Sequence, residues 1–277
     1  MSVTAQRLRV IRLVAGRELR STLYGIGIYI VMALSFVASS YFLNQALWTI
    51  SQNGVLVVPP PLVGPLFIAV LISSVYLALL SSLSISRERD QGTLEVLFYG
   101  PVDSISYVLG KFVEQMLVFG AVLIVDLVFF LILSLVTNLG LNWELLALLV
   151  ISFFVAASVV AFGIFLSSVT KSSRASVVLF VALMVALIGF SYGYQYLMNL
   201  PDKDLSTGLI YLRQAADILS RGINWLSPVG YLNRGAMAVA LQSPTGYLVA
   251  VGEALVYALV LLAGSVFFFN RKGVKRG

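Results

Sequence analysis

Six apolar runs, each long enough to cross a lipid bilayer, limit what this chain can fold into. They cover about residues 24–43, 62–85, 112–137, 145–169, 176–198 and 247–269. About 20 apolar residues in a helix cross the ~30 Å hydrocarbon core of a membrane. Because lipid offers the backbone no hydrogen-bond partners, such runs fold as helices. The sequence therefore predicts an all-α membrane protein with six transmembrane helices (spans 1 to 6) in a single domain of residues 1–277.

The amino-acid composition agrees with a membrane protein and excludes several kinds of chemistry. The chain is 60% hydrophobic and 11% charged, whereas soluble domains are typically ~25% charged. It contains no cysteine and no histidine, which removes thiol nucleophiles, imidazole bases and the commonest metal ligands. We expect no catalytic residue, no metal site and no nucleic-acid partner for this chain.

Lysine and arginine are distributed unevenly between the segments that connect the spans. Fourteen of the 18 lie in the N-terminal segment, the 86–111 loop, the turn after span 4 and the C-terminal tail. The other four lie in the long 199–246 connection. Short loops rich in Lys and Arg stay on the cytoplasmic side of a membrane. We therefore expect a multi-pass protein of the cell membrane with both termini and the 86–111 loop in the cytoplasm.

Residues 5–21 are predicted to form a basic helix ahead of span 1. Arg9, Arg12, Arg17 and Arg20 share one half of a helical wheel, and apolar side chains share most of the other half. This pattern is typical of a helix that lies in the membrane interface with its arginines near anionic lipid headgroups. The alternative interpretation is a basic flank of span 1 with no role of its own.

The 86–111 loop is the only long polar interruption in the first half of the chain. A helix is predicted within 93–99, where Leu94 and Leu97 offer an apolar face to a partner. Gly100 and Pro101 then stop it. Asp103 or Ser104 is predicted to cap the helix that continues into span 3.

Gly110 and Lys111 invite comparison with the end of a phosphate-binding loop, but the pattern fails. That loop needs Gly where Ile105 stands and Ser or Thr where Phe112 stands. We therefore expect no ATP binding by this route.

The 199–246 connection contains helical segments of its own. Residues 209–219 are amphipathic, and Ser227 and Pro228 fit the cap and the first position of a further helix. The segment 228–241 is too short and too charged to span, so we expect it to dip into the outer membrane interface.

Acidic side chains inside the spans suggest a second class of function. Asp126 lies midway along span 3, Glu253 lies in span 6, and Glu114 is near enough to the cytoplasm to be solvated. Buried membrane acids are costly and often functional, so an ion-coupled secondary transporter using Asp126 and Glu253 is the alternative. Against it, no span has the Gly/Pro interruption typical of carrier sites. If the acids are structural, Glu253 is expected to pair with Arg234.

Gly189 and Gly193 in span 5 have the spacing that lets two helices approach closely. They fit either a contact between subunits or packing within one chain.

Taken together, these segments resemble the membrane subunits of type-2 ABC transporters, most of which are exporters. The 86–111 loop is similar to that family's pattern E-x-x-x-G-T-L-E-x-L-x-x-x-P followed by G-K. Its first glutamate falls on Glu88 or, less directly, on Asp90. The other matching residues are Gly92, Thr93, Leu94, Glu95, Leu97, Pro101, Gly110 and Lys111. A second similarity is the external Ser-Pro…Gly motif, here Ser227, Pro228 and Gly235. The acidic residues that often follow this glycine are absent.

The resemblance implies a role and partners. The 86–111 segment would be a coupling loop that docks on a separate ATPase subunit, with the basic N-terminal helix beside it. ATP and Mg²⁺ would bind that ATPase and not this chain, which would have no enzymatic activity alone. A second copy or a paralogue would complete the pathway, and membrane lipid would surround it. The substrate stays open: drug, lipid, peptide, ion, or mechanical work on another complex.

Overall fold

The order of helices along the chain follows the order of the apolar runs. The structure, a computed structural model, describes residues 3–53, 61–94, 103–200 and 207–272. The helices within these ranges are α1 (Val3–Leu23), α2 (Ile26–Asn53), α3 (Val63–Ser84), α4 (Ser86–Asp90), α5 (Ser104–Thr137), α6 (Trp143–Val169), α7 (Ser173–Met198), α8 (Thr207–Leu226), α9 (Pro228–Ala240) and α10 (Pro244–Lys272).

Six of these helices are long and apolar enough to cross a membrane, which confirms the predicted fold class. Spans 1 to 6 are α2, α3, α5, α6, α7 and α10, and the described residues contain no strand. The helix of span 1 continues past Leu43 to Asn53. Polar residues can extend a helix beyond the apolar window once the chain reaches the interface, so the helix boundary is not a membrane boundary.

Span 4 forms the centre of the bundle. It packs against spans 2, 3 and 6 and against α9, and most of its side chains are buried. The contact with span 2 depends on Gly163, because a Cβ at this position would lie 2.5 Å from the carbonyl oxygen of Ala78. Real Cβ atoms do not approach a backbone oxygen so closely, so only glycine lets these two helices lie at this distance.

The outer helices bury far less surface. Spans 1 and 5 pack mainly against span 2, and α1 lies along the first part of span 3. Spans 3 and 6 expose large apolar side chains such as Ile124, Val128 and Leu259. Such side chains are stable in contact with lipid, and this is the surface expected of helices at the edge of a membrane bundle.

Two predicted helix starts are correct in position, while their predicted side-chain caps are wrong. Span 3 follows Asp103, but its side chain makes no capping bond and instead forms an ion pair with Arg7 at 3.1 Å. Helix α9 begins at Pro228 after Ser227, whose hydroxyl also makes no capping bond. Proline at the first helical position lacks an N–H and has a fixed φ, which helps the helix begin there.

Candidate functional site

A cluster of charged side chains joins the start of the 86–111 loop to span 3 and to α1. The carboxylate of Glu88 accepts hydrogen bonds from Lys111 Nζ at 2.6 Å, from the Tyr107 hydroxyl at 2.7 Å and from Arg17 Nη2 at 3.2 Å. Lys111 Nζ also lies 3.2 Å from Glu18 Oε2. We call Arg17, Glu18, Glu88, Tyr107 and Lys111 the charge cluster. It fastens three segments that are distant in the sequence.

Lys111 lies at the centre of the charge cluster and is only 2% exposed. Two carboxylates and two cations balance one another, and each charge has an opposite charge within 3.2 Å. Burial alone would raise the pKa of Glu18. The neighbouring Lys111 and Arg17 more than offset this effect, so the pKa of Glu18 lies below its ordinary value. Glu18 therefore stays charged at neutral pH.

Gly110 explains why α1 can lie against span 3 at this point. A Cβ at Gly110 would meet the Cβ and Cγ1 atoms of Val14 at 3.0 Å. Val14 and Ala15 on α1 are buried by this contact. The adjacent residues of the Gly-Lys motif therefore have separate tasks: Gly110 permits the close approach of α1, and Lys111 binds the carboxylates of the cluster.

Of the two acids that could match the first glutamate of the loop motif, Glu88 contacts Lys111 and Asp90 does not. Although 23 positions separate them, Glu88 and Lys111 meet directly. Asp90 contacts a different element, where its Oδ2 accepts a hydrogen bond from the Ser173 N–H at 2.7 Å. Gly92 has φ +68°, a left-handed conformation that favours glycine. Thr93 is exposed, and its hydroxyl donates to the Glu88 carbonyl at 3.2 Å.

The prediction that Leu94 presents its side chain to a partner is wrong. Leu94 is 5% exposed and packs in a buried apolar cluster with Ile85 and Tyr107. The chain turns back at Gly92, and this turn carries Leu94 toward the bundle. The other predicted loop residues, Glu95, Leu97 and Pro101, lie outside the described residues.

Two members of the charge cluster were not predicted from the sequence. Glu18 is the one acid in a basic helix, and this break in the pattern was the available signal. Tyr107 gave no signal, because its role depends on how the loop folds back. Arg17 was assigned to the interfacial helix with Arg9, Arg12 and Arg20, and it also contacts Glu88. Interfacial placement of this helix stays a prediction.

On the opposite side of the bundle, α8 and α9 form a helical hairpin in which α9 packs against spans 4 and 6 and α8 packs against span 5. The carbonyl of Leu226, at the hairpin tip, accepts a hydrogen bond from the Tyr257 hydroxyl at 2.7 Å. Tyr257 lies 13 residues after Pro244, the first residue of span 6, or roughly 20 Å along the helix axis. The hairpin therefore reaches about halfway down span 6. Gly235 supports it, because a Cβ there would lie 3.3 Å from Ile151 in span 4.

Arg234 holds the hairpin in place. Its guanidinium forms an ion pair with Glu253 of span 6, which confirms the predicted pair. Arg234 Nη2 donates to the Asn224 carbonyl at 2.5 Å. The guanidinium also stacks on the rings of Trp225 and Tyr231, at 5.0 and 4.6 Å from their centroids. One side chain thus connects both arms of the hairpin to span 6.

The remaining membrane acids are buried. Asp126 is fully buried, and neither of its carboxylate oxygens has a hydrogen-bond partner among the described residues. Glu114 is 2% exposed and accepts a hydrogen bond from the Thr22 hydroxyl at 2.9 Å. The expectation that Glu114 is solvated is therefore wrong, because α1 covers it.

Comparison with protein families identifies the chain. The model for the ABC-2 family transporter proteins matches residues 20–274, so the chain belongs to this family. It is the membrane subunit of an ABC transporter, a multi-pass protein that works with an ABC ATPase subunit. A comparison with curated protein sequences gave no match.

Proposed function

We propose that this chain is the permease subunit of an ATP-driven exporter in the cell membrane, with both termini and the coupling loop in the cytoplasm. The coupling loop, residues 86–111, docks on a separate ATPase that binds ATP and Mg²⁺ and hydrolyses the nucleotide. The chain itself carries no catalytic residue. The observation that carries this proposal is the charge cluster, because it ties the root of the loop to both α1 and span 3.

The physical argument concerns stiffness. A loop that transmits force must not deform where it joins the membrane helices. Glu88 has three hydrogen-bond donors on two other segments, and Lys111 is buried beneath it. Moving the loop therefore moves α1 and span 3 with it. A solvated turn needs no such ion cluster around a buried lysine, since burying Lys111 requires the removal of its charge from water.

Leu97→Asp tests docking of the loop. A charge placed in a desolvated contact should weaken binding by several kcal/mol, on the order of 2–5. We expect the variant to insert and fold normally but to lose copurification with its ATPase. Leu141→Asp is the matched control, since Leu141 is 44% exposed in the turn before span 4, at the opposite end of the bundle. Normal copurification of the Leu97→Asp variant would remove this loop from the interface.

We also propose that two copies, or this chain and a paralogue, pair through span 5. Ala182, Ala186, Gly189 and Gly193 lie on one face of this helix, and all four are exposed. A Cβ at either glycine would have no atom within 4 Å, so packing within one chain does not explain them. Small residues at this spacing let two membrane helices approach closely.

The mass of the complex in detergent tests this pairing. We expect two permease chains per complex, and only one when Gly189 and Gly193 are both replaced by leucine. Gly252→Leu in span 6 is the control, because that glycine is equally open. One permease chain in the unmodified complex would contradict the proposal.

Asp126→Asn separates this function from ion-coupled transport. Asp126 has no hydrogen-bond partner among the described residues, so an isosteric neutral side chain removes no bond. We expect the variant complex to keep its ATP turnover and thermal stability, whereas Glu253→Gln should lower stability by weakening the pair with Arg234. Loss of ATP turnover in the Asp126→Asn complex would mean that this carboxylate takes part in the transport cycle.

A further inference from the structure

Spans 4 and 5 meet in a very short turn that leaves backbone groups to be satisfied. Span 4 ends at Val169 and span 5 begins at Ser173. The last carbonyls of one helix and the first N–H groups of the next have no partners within their own helices. The helix dipoles also give the end of span 4 a partial negative charge and the start of span 5 a partial positive one.

Two consecutive residues at the root of the coupling loop meet these two helix ends. The guanidinium of Arg89 donates to the carbonyl of Thr170, the residue that caps the end of span 4. The carboxylate of Asp90 accepts from the N–H of Ser173, the first residue of span 5, at 2.7 Å. Each side chain carries the charge that complements the helix end it binds.

Serine side chains reinforce the same junction. The Ser167 hydroxyl in span 4 accepts from the N–H groups of Ile85 and Ser86 at 3.0 and 2.9 Å, where span 2 passes into the loop. The Ser176 hydroxyl in span 5 donates to the Ser82 carbonyl at 2.5 Å. The end of span 2 and the start of the loop are therefore hydrogen-bonded to the end of span 4 at Ser167 and Thr170 and to span 5 at Ser173 and Ser176.

Glu88, Arg89 and Asp90 thus contact three different parts of the bundle. Glu88 binds span 3 and α1, Arg89 binds the end of span 4, and Asp90 binds the start of span 5. We propose that Arg89 and Asp90 are positioning residues that make spans 4 and 5 follow the coupling loop when it moves. This inference rests on the proposed function, since it needs a loop that an ATPase displaces.

The test uses nitroxide labels on a chain that has no cysteine of its own. Single cysteines at Thr93, in the loop, and at Lys171, in the turn between spans 4 and 5, report the two positions. Both residues are exposed. Pulsed electron paramagnetic resonance measures the distance between labels on the two permease chains of the purified complex with its ATPase, with and without Mg²⁺ and a non-hydrolysable ATP analogue.

In the unmodified complex we expect nucleotide to shift the distance at both positions. Asp90→Ala should retain the shift at residue 93 and reduce the one at residue 171, where the contact of Arg89 with Thr170 remains. Asp90→Asn should restore the full shift at residue 171, because an amide oxygen can accept the same hydrogen bond from the Ser173 N–H. A purely structural role for Asp90 would change both positions together or neither, and either result would overturn the inference.

Ser173→Pro gives an independent test that leaves both charges in place. It removes the N–H that Asp90 binds, at the first helical position, where proline is tolerated. The preceding Ser172 has φ −138° and ψ 156°, a conformation that suits a residue before proline. We expect this variant to reduce the nucleotide-dependent distance shift at residue 171, as Asp90→Ala does. The control Ser104→Pro, at the start of span 3, should leave that shift unchanged. A full shift at residue 171 in the Ser173→Pro complex would overturn the inference.

Absence of a shift at residue 93 in the unmodified complex would instead refute the proposed function, and this inference with it.

Discussion

Lys111→Met should be among the most destabilising single substitutions in the chain, with a cost of about 3 kcal/mol. Methionine keeps most of the side-chain volume but removes the charge. Arg17, which is 59% exposed, would then be the one cation of the cluster left to pair with both Glu88 and Glu18. Breaking a buried ion pair leaves an uncompensated carboxylate, and this costs more than the pair itself contributes.

Thermal unfolding in detergent measures this effect. A loss of 3 kcal/mol corresponds to a decrease of roughly 6–12 °C in the midpoint for a chain of this size. Lys171→Met is the matched control, since Lys171 is exposed and should change the midpoint by about 2 °C or less. Adding Glu88→Gln to the Lys111→Met variant should recover part of the loss, because it removes one unpaired carboxylate. Equal midpoints for Lys111→Met and Lys171→Met would show that the charge cluster contributes nothing to stability.

Arg234→Met should release the α8–α9 hairpin from span 6, with an expected cost of about 2 kcal/mol. The substitution removes the ion pair with Glu253, the hydrogen bond to the Asn224 carbonyl and both ring contacts. The pair is partly exposed, at 30% and 21%, so the expected cost is lower than for Lys111.

A double-mutant cycle separates these contributions. Glu253→Gln alone should cost less than Arg234→Met, because Arg234 keeps its aromatic and carbonyl contacts. The two substitutions together should cost less than their sum, since both remove the same ion pair. Limited proteolysis of the hairpin should become faster in the Arg234→Met variant. Additive costs would mean that the two side chains do not stabilise each other.

The sequence predicted the spans well because their physics is local. A run of about 20 apolar residues has one stable arrangement in lipid, whatever surrounds it. The Arg234–Glu253 pair was also predictable, since a charge within a span needs a partner and few were available. The helix start at Pro228 followed from the properties of proline at a first helical position.

Some members of the charge cluster could be predicted from the sequence, but the contacts between them could not. The loop motif singled out Glu88 and Lys111, but no spacing rule states that residues 23 positions apart meet. Their contact depends on where the chain reverses, and the contact with Glu18 depends on α1 packing against Gly110. Leu94 shows the same limit: as part of a short apolar pattern it could face a partner or the bundle, and only the reversal at Gly92 decides between them.

The central claim is that the loop between spans 2 and 3 contacts an ATPase, and crosslinking tests it most directly. A photoreactive amino acid at Thr93, which is exposed, should give an adduct with a partner protein when the complex is irradiated in the membrane. Mass spectrometry of the adduct should identify peptides of an ATPase with a phosphate-binding loop. The same probe at Gln242, exposed at the opposite end of the bundle, should give no such adduct. An ATPase adduct from residue 242, or its absence from residue 93 in a complex that hydrolyses ATP, would contradict the account.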